Sequence, residues 1–286
     1  MRVFLMPNLY RKNADVCTKQ IVQKLTEYKI ESMMDNRYQQ HFPNLSIEFT
    51  DFYSGIAQAE VVIAIGGDGT IIHSAKHAVA YDKPLLGINV GRLGFLAGLE
   101  MYELSLLKNL VDKNYEIENR MLLKCLHYTG ESINEYLALN DIVISNGAIS
   151  KIIDLDVFCE KKPIISYRAD GVIFSTPTGS TAYALSAGGP IVESSLNSIC
   201  MTPICPHSLM ARPIIFSDEK VITVKASELN LHPIYITVDG EQGVKLEQDD
   251  KLEVMKSRKP VQLINLNAKS FYEVLNQKFK LRTEEE

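Results

Sequence analysis

The sequence predicts an α/β N-terminal domain on an open, mainly parallel sheet, followed by a β-rich C-terminal domain. Buried β-branched runs alternate with helical periodicity over residues 1–115, and short strands separated by turns follow from 116 to 265. At 286 residues the chain also exceeds what one hydrophobic core usually serves.

The first element, Arg2 to Met6, is a short apolar strand, and Ala14 to Lys29 carries Val16, Ile21, Val22 and Leu25 at roughly helical spacing. Glu60 to Ile65 is a continuous apolar run ending in glycines, as expected of a strand covered on both faces; a helix follows from Thr70 to Ala80. Pro84 to Asn89 repeats the buried strand, and Glu100 to Asp112 supplies an amphipathic helix. Beyond it, strands are predicted at Leu122–Thr129, Tyr136–Ser145, Ile152–Cys159, Ile164–Tyr167, Gly171–Ser175, Val221–Ala226, Ile234–Val238, Lys251–Met255 and Val261–Ile264. Lys161-Lys162-Pro163 and Asp239-Gly240-Glu241 read as hairpin turns. Ala268 to Phe279 returns to helical spacing, and this C-terminal helix, within 266–286, is expected to rejoin the first domain, with Glu284–Glu286 frayed.

An apolar fraction of 46% and a charged fraction of 23% describe an ordinary folded chain. The net charge of −5, with both signs interspersed, offers no basic face for nucleic acid or an anionic membrane. The start lacks an export signal and no apolar run has membrane-spanning length, so a cytoplasmic protein is expected. Five cysteines without CxxC spacing read as reduced structural thiols.

Gly66-Gly67-Asp68-Gly69-Thr70 joins a buried strand to a helix, where backbone N–H groups converge on phosphate oxygens. Asp68 stands exposed in that turn, as a general base or a partner of a metal-nucleotide complex; an ordinary N-cap and turn is the competing reading. No Gly-Lys-Ser/Thr follows, so this is not a Walker loop. Asn89 to Leu99, with Gly91, Gly94 and Gly98, lays its backbone against a ligand or forms a plain connection. Arg92 within it is either a phosphate contact or a solvated side chain. Asp170 to Val192 gathers hydroxyls at Ser175, Thr176, Thr178, Ser180, Thr181, Tyr183 and Ser186 around a short helix near Ser180. These meet a flat polar ligand such as a nucleotide, or bond among themselves. Asn140-Asp141 offers an amide and a carboxylate for a base edge and a ribose diol, or forms a turn. His73 and His77 have metal-ligand spacing but no third ligand and read as helix surface, and His207 reads as structural; no protein metal site is expected.

Taken in order, GGDGT at 66–70, GINVGRLGFLAGL at 87–99, ND at 140–141, DGVIFSTPTGSTAYALSAGGPI at 170–191, PICPHSLMARPI at 203–214 and VDGEQ at 238–242 resemble the NAD kinase family. The resemblance implies a sandwich-like second domain, an active site in the cleft between the domains, and homodimers or homotetramers in which a neighbouring subunit completes the NAD site. It implies transfer of the terminal phosphate of ATP, or of another donor, to the 2′-hydroxyl of the adenosine ribose of NAD, with Mg²⁺ arriving on the nucleotide. By the same resemblance Asp68 is the base, and Gly66, Gly67, Gly69 and Thr70 cradle the donor phosphates, Gly69 also touching NAD. Asn140, Asp141, Thr178, Thr181, Ala182, Tyr183 and Ser186 surround the adenosine, Asp170 lies toward the nicotinamide, and Arg168 matches a position linked with preference for NAD over NADH. Position 141 is more often glutamate in the family, so Asp141 reaches one methylene less far. The alternatives are a lipid or sugar kinase of the same wider group, and a sensor that binds NAD or NADP without chemistry.

Overall fold

The structure is a computed structural model that describes residues 1–147, 152–208, 210–227, 230, 232–267 and 269–283. Two compact units divide the chain: residues 1–119 with 261–286, and residues 120–260.

The first unit opens with β1 (Arg2–Pro7), α1 (Ala14–Glu27), β2 (Glu31–Asp35), β3 (Glu48–Thr50), α2 (Phe52–Gln58), β4 (Val61–Gly66) and α3 (Asp68–Ala80). It continues with β5 (Leu85–Asn89), β6 (Leu99–Glu100), a 3₁₀ segment at Met101–Leu107, α4 (Lys108–Asp112) and β7 (Glu116–Arg120). The second unit holds β8 (Leu123–Thr129), β9 (Ser132–Ala138), β10 (Asp141–Asn146), β11 (Ile153–Cys159), β12 (Lys162–Ala169) and β13 (Gly171–Ser175). After a 3₁₀ turn at Thr178–Thr181 come α5 (Tyr183–Ser186), β14 (Ser198–Ile204), β15 (Ile214–Ser217), β16 (Ile222–Ala226), β17 (Ile234–Val238), β18 (Val244–Leu246) and β19 (Lys251–Lys256). The chain returns to the first unit with β20 (Val261–Asn265) and α6 (Phe271–Thr283).

The first sheet runs β3-β2-β1-β4-β5-β20-β7, with β6 beside β5. The pairs among β1 to β5 are parallel. Val62, Ile63, Ala64 and Ile65 of β4 have no exposed surface, which is why that strand reads as an unbroken apolar run. From β1 the chain proceeds to β2 on one side, and from β4 to β5 on the other. The β1/β4 boundary is therefore a topological switch point, with a crevice at the carboxyl ends of the two strands.

The second unit is a sandwich of two six-stranded antiparallel sheets, β15-β14-β13-β10-β17-β18 and β12-β11-β16-β19-β8-β9. Alternation at period two puts Ile142, Ile144, Val172, Phe174 and Met201 of one sheet into a shared core with Leu123, Leu155, Val224 and Val254 of the other. Asp141, Val143 and Ser145 alternate with those core residues along β10, on the outer face of the first of these sheets.

Several predicted elements are placed differently. Tyr136–Ser145 is two strands in opposite sheets, broken at Leu139-Asn140 because the Asp239 carboxylate accepts N–H groups of Leu139, Asn140 and Asp141 there. Glu100–Asp112 is 3₁₀ before it becomes α-helical, with a reciprocal capping box between Glu100 and Glu103. The first hairpin turns at Glu160-Lys161, both with positive φ, so Lys162 and Pro163 already belong to the edge strand β12.

The strand at 261–265 lies in the first sheet, where Leu263 pairs with Leu85, and not at the end of the second domain, as the 116–265 span supposed. A short apolar strand carries no mark of which sheet it joins. Strand β14 escaped prediction because Pro203 interrupts it. The proline is tolerated because β15 pairs only as far as Met201, leaving no partner for the missing N–H. The helix predicted at Ala268–Phe279 runs Phe271–Thr283; Ala268 and Glu284–Glu286 lie outside the described residues.

Candidate active site

In the first unit, the turn after β4 puts Gly67 at the N-cap of α3 and Asp68 at its first residue. The cap makes no side-chain bond, so Asp68 is not spent as an N-cap. Its carboxylate instead accepts the Phe95 N–H on Oδ2 at 3.0 Å and the Leu96 N–H on Oδ1 at 3.2 Å. The 89–99 segment thus lays its backbone against the carboxylate. A Cβ on Gly66 would collide with Thr70, so that glycine serves packing. Cβ atoms on Gly67 and Gly69 would meet nothing within 4 Å, leaving open space beside the amides of a helix N-terminus. The Thr70 hydroxyl accepts from Asn8 Nδ2 at 3.1 Å, tying the turn to the end of β1.

A cavity of about 840 Å³ occupies the switch-point crevice. The β1 end contributes Pro7 to Tyr10; Arg37, Tyr38 and His41 follow β2; Gly69, Thr70 and His73 come from the start of α3. The Arg37 guanidinium lies 4.9 Å from the Tyr38 ring centroid, and the Tyr38 hydroxyl donates to the Pro7 carbonyl at 3.0 Å. No local motif announces Asn8, Tyr10, Arg37, Tyr38 or His41; they come together only through strand order. His73 lines this cavity, while His77 packs edge-on to Phe52 at 4.9 Å. Among the described residues no group of three or more His, Cys, Asp or Glu is placed to hold a metal ion.

In the second unit, a cleft of about 440 Å³ lies on the outer face of the β10–β17 sheet, lined by Asn140, Asp141, Val143, Ser145, Ala182, Tyr183, Thr237, Asp239 and Gly240. Its frame is the hydroxyl-bearing segment. The Thr176 hydroxyl donates to the Leu139 carbonyl at 2.6 Å and accepts the Gly179 N–H at 3.0 Å. Ser180 donates to the Pro177 carbonyl at 2.6 Å and accepts the Val192 N–H at 3.0 Å. These two hydroxyls knit the loop, so the self-bonded reading holds for part of the block. Gly179 sits against the Asn140 carbonyl, 2.0 Å from where its Cβ would be, which brings Ala182 and Tyr183 over Asn140-Asp141.

Opposite, Asp239 and Gly240 both have positive φ, and the Asp239 carboxylate accepts three N–H groups at 2.9, 2.8 and 3.1 Å. The fan of amides is not legible from Asp-Gly, which signals only the hairpin. Burial, then the charge of Asp239, pushes the Asp141 carboxyl up to about 7.

Of the other expected contacts, Thr178 and Thr181 lie in the 3₁₀ turn, Thr181 donating to the Thr178 carbonyl at 3.1 Å, and Ser186 is exposed on α5; none is part of the cleft wall. Arg168 lies on β12 of the opposite sheet, exposed, its Nε 3.4 Å from Asp154 Oδ1. Asp170 sits between β12 and β13, its N–H given to the Ile204 carbonyl. Neither lines this cleft. His207, read as structural, is exposed, and its backbone N–H is given to the Arg168 carbonyl. All five cysteines are free.

A glycine-turn carboxylate on an α/β unit, together with a nucleoside-sized polar cleft on a β-sandwich, is the equipment of a nucleotide-dependent phosphotransferase. Residues 4–115 match the model of the ATP-NAD kinase N-terminal domain and residues 139–266 that of the ATP-NAD kinase C-terminal domain. The NAD kinase of Natranaerobius thermophilus is 37% identical over 278 residues, covering 96% of each chain, and that of Thermoanaerobacter pseudethanolicus 36% identical over 285 residues, covering 98% of this chain and 99% of its own. Among solved structures, yeast NADH kinase complexed with NADH has a TM-score of 0.87 at 25% identity, covering 99% of this chain and 87% of its own. An Archaeoglobus fulgidus NAD kinase in complex with ATP has a TM-score of 0.76 at 26% identity, covering 99% of each. The chain belongs to the NAD kinase family.

Proposed function

We propose that this protein transfers the γ-phosphoryl group of ATP to the 2′-hydroxyl of the adenosine ribose of NAD, giving NADP and ADP. The observation that carries the reading is Asp68, a carboxylate in a glycine turn at a strand's carboxyl end that is held by two amides instead of capping its own helix. A sensor of NAD has no need of that arrangement. The ribose oxygen attacks the γ-phosphorus, the bond to the β–γ bridging oxygen breaks, and Asp68 takes the hydroxyl proton.

Gly67 and Gly69 receive the donor phosphates on their amides, with Gly66 and Thr70 shaping the turn, the Thr70 amide being given to the Gly67 carbonyl at 2.8 Å, and the switch-point cavity is large enough for the donor's nucleoside. Asn140, Asp141, Ala182 and Tyr183 contact the adenosine part of NAD, with Thr178, Thr181 and Ser186 shaping the same segment. Arg168 and Asp170, away from this cleft, act on the NAD of a neighbouring subunit in a homodimer or homotetramer. The turn offers one carboxylate and one hydroxyl, too few hard oxygens for a closed Mg²⁺ cage, so the ion enters as part of the nucleotide substrate, with phosphates and water as its other ligands. The free thiols suit the cytoplasm. Among the described residues no helix is long and apolar enough to cross a membrane.

Chromatography of NAD incubated with Mg-ATP and the purified protein is expected to reveal NADP. Asp68→Asn should lower kcat by about 10²- to 10⁴-fold while both substrates still bind. An Asn variant with undiminished turnover removes Asp68 as the base.

A further inference from the structure

The base needs more than a position in a turn; it needs a fixed direction. Asp68 stands at the first residue of its helix, where a side chain has several rotamers and solvent on one side. What fixes it is the connection after β5. Asn89 holds the start of that connection: its Oδ1 accepts the Gly91 N–H at 3.1 Å, and its Nδ2 donates to the Arg92 carbonyl at 2.9 Å and to Glu100 Oε2 at 2.8 Å. The far end is held where the Gly98 N–H donates to the Gly87 carbonyl at 3.0 Å and Gly98 lies against the Ile264 carbonyl. Between these anchors the Phe95 and Leu96 amides point at the two carboxylate oxygens, one each.

Gly94 makes the approach possible. A Cβ there would fall 2.1 Å from Asp68 Oδ1 and 2.9 Å from its Cγ. Its φ lies outside the left-handed region, so the glycine is required for space beside the carboxylate and not for backbone conformation.

We infer that the turn at 94–96 is the positioning element of the reaction: Gly94 admits the Asp68 carboxylate and the next two amides aim it at the acceptor hydroxyl. The inference rests on the reading of Asp68 as the base. Two N–H donors, one on each oxygen, fix the plane of the carboxylate, so the proton acceptor is presented in one orientation.

Gly94→Ala is expected to lower kcat about 100-fold with the KM values for NAD and Mg-ATP kept, because it displaces the base without touching either binding surface. The double variant Asp68→Asn/Gly94→Ala should be no slower than Asp68→Asn alone, since Gly94 acts through that side chain. Wild-type kcat in Gly94→Ala, a rise in KM alone, or additive losses in the double variant would overturn the inference. Should Gly94→Ala fail to fold, the wild-type protein still decides: on acid titration the Phe95 and Leu96 amide protons should shift together, and should not do so in Asp68→Asn. Amide signals indifferent to that titration also overturn it. A fully active Asp68→Asn removes the base reading itself, whereas an inactive Asp68→Asn beside a normal Gly94→Ala removes the positioning role alone.

Discussion

Asp141 and Asp239 sit at one corner of the second unit with opposite environments. Asp239 receives three backbone N–H groups, which favour its charged form, whereas Asp141 is buried beside that charge and its carboxyl is pushed up to about 7 from an ordinary 3.8. Unfolded, Asp141 loses its proton near the lower value; folded, near the upper one. Between them the folded chain binds a proton that the unfolded chain has released, so stability falls as pH rises through this window and levels off above it. Asp141→Asn removes that dependence. Its stability relative to the wild type should therefore improve from about pH 4 to about pH 8, the free-energy gap moving in the variant's favour by on the order of a few kcal/mol. Thermal melts of both proteins across that range test it, and a constant gap would mean that the carboxyl ionises normally. For the protein at neutral pH, the consequence is that Asp141 is a hydrogen-bond donor for part of the time.

At the scale of elements, the loop from β13 to α5 and the break between β9 and β10 form one device, locked by the Thr176 hydroxyl and by the contact of Gly179 with the Asn140 carbonyl. An alanine at 179 would put its Cβ 2.0 Å from that oxygen, so the loop must lift. Gly179→Ala should raise the KM for NAD more than it lowers kcat and cost about 1–3 kcal/mol of stability; steady-state kinetics with a denaturant melt check both, and an unchanged KM would detach this loop from the acceptor site. The same device marks the limit of what residues alone disclose. The buried strand before GGDGT, the helix after it and the density of hydroxyls in 170–192 are legible because each is a local pattern of burial or donors. The fan of amides on Asp239 joins residues about 100 apart, and the pairing of Asp68 with Phe95 and Leu96 spans a helix and a strand, so neither leaves a local trace. Residue type alone makes the hydroxyls one pool, although Thr176 and Ser180 are consumed inside the loop.

For the whole molecule, the decisive feature is that the first unit is discontinuous and the second is not. β20 lies between β5 and β7, so the sheet is incomplete until residue 265 has been made, and Val261 and Ile264 bury 99% or more of their surface in it. α6 then adds Phe271, whose ring centroid lies 6.4 Å from that of Phe95, and Lys278, whose Nζ is 4.9 Å from the Phe95 ring centroid. The chain's last 26 residues, 261–286, thus carry both a central strand and a brace for the turn that faces Asp68. A chain ending at residue 260 leaves β7 without its partner strand and β5 with only the two-residue β6 beside Ile88 and Asn89, which favours aggregation over a folded α/β unit. Residues 120–260 keep both sheets and the whole of their shared core. Limited proteolysis of the truncated chain with mass analysis should therefore yield a resistant fragment close to 120–260, with the first 119 residues degraded and kinase activity gone. Equal resistance of both segments would show that the α/β unit closes without its returning strand.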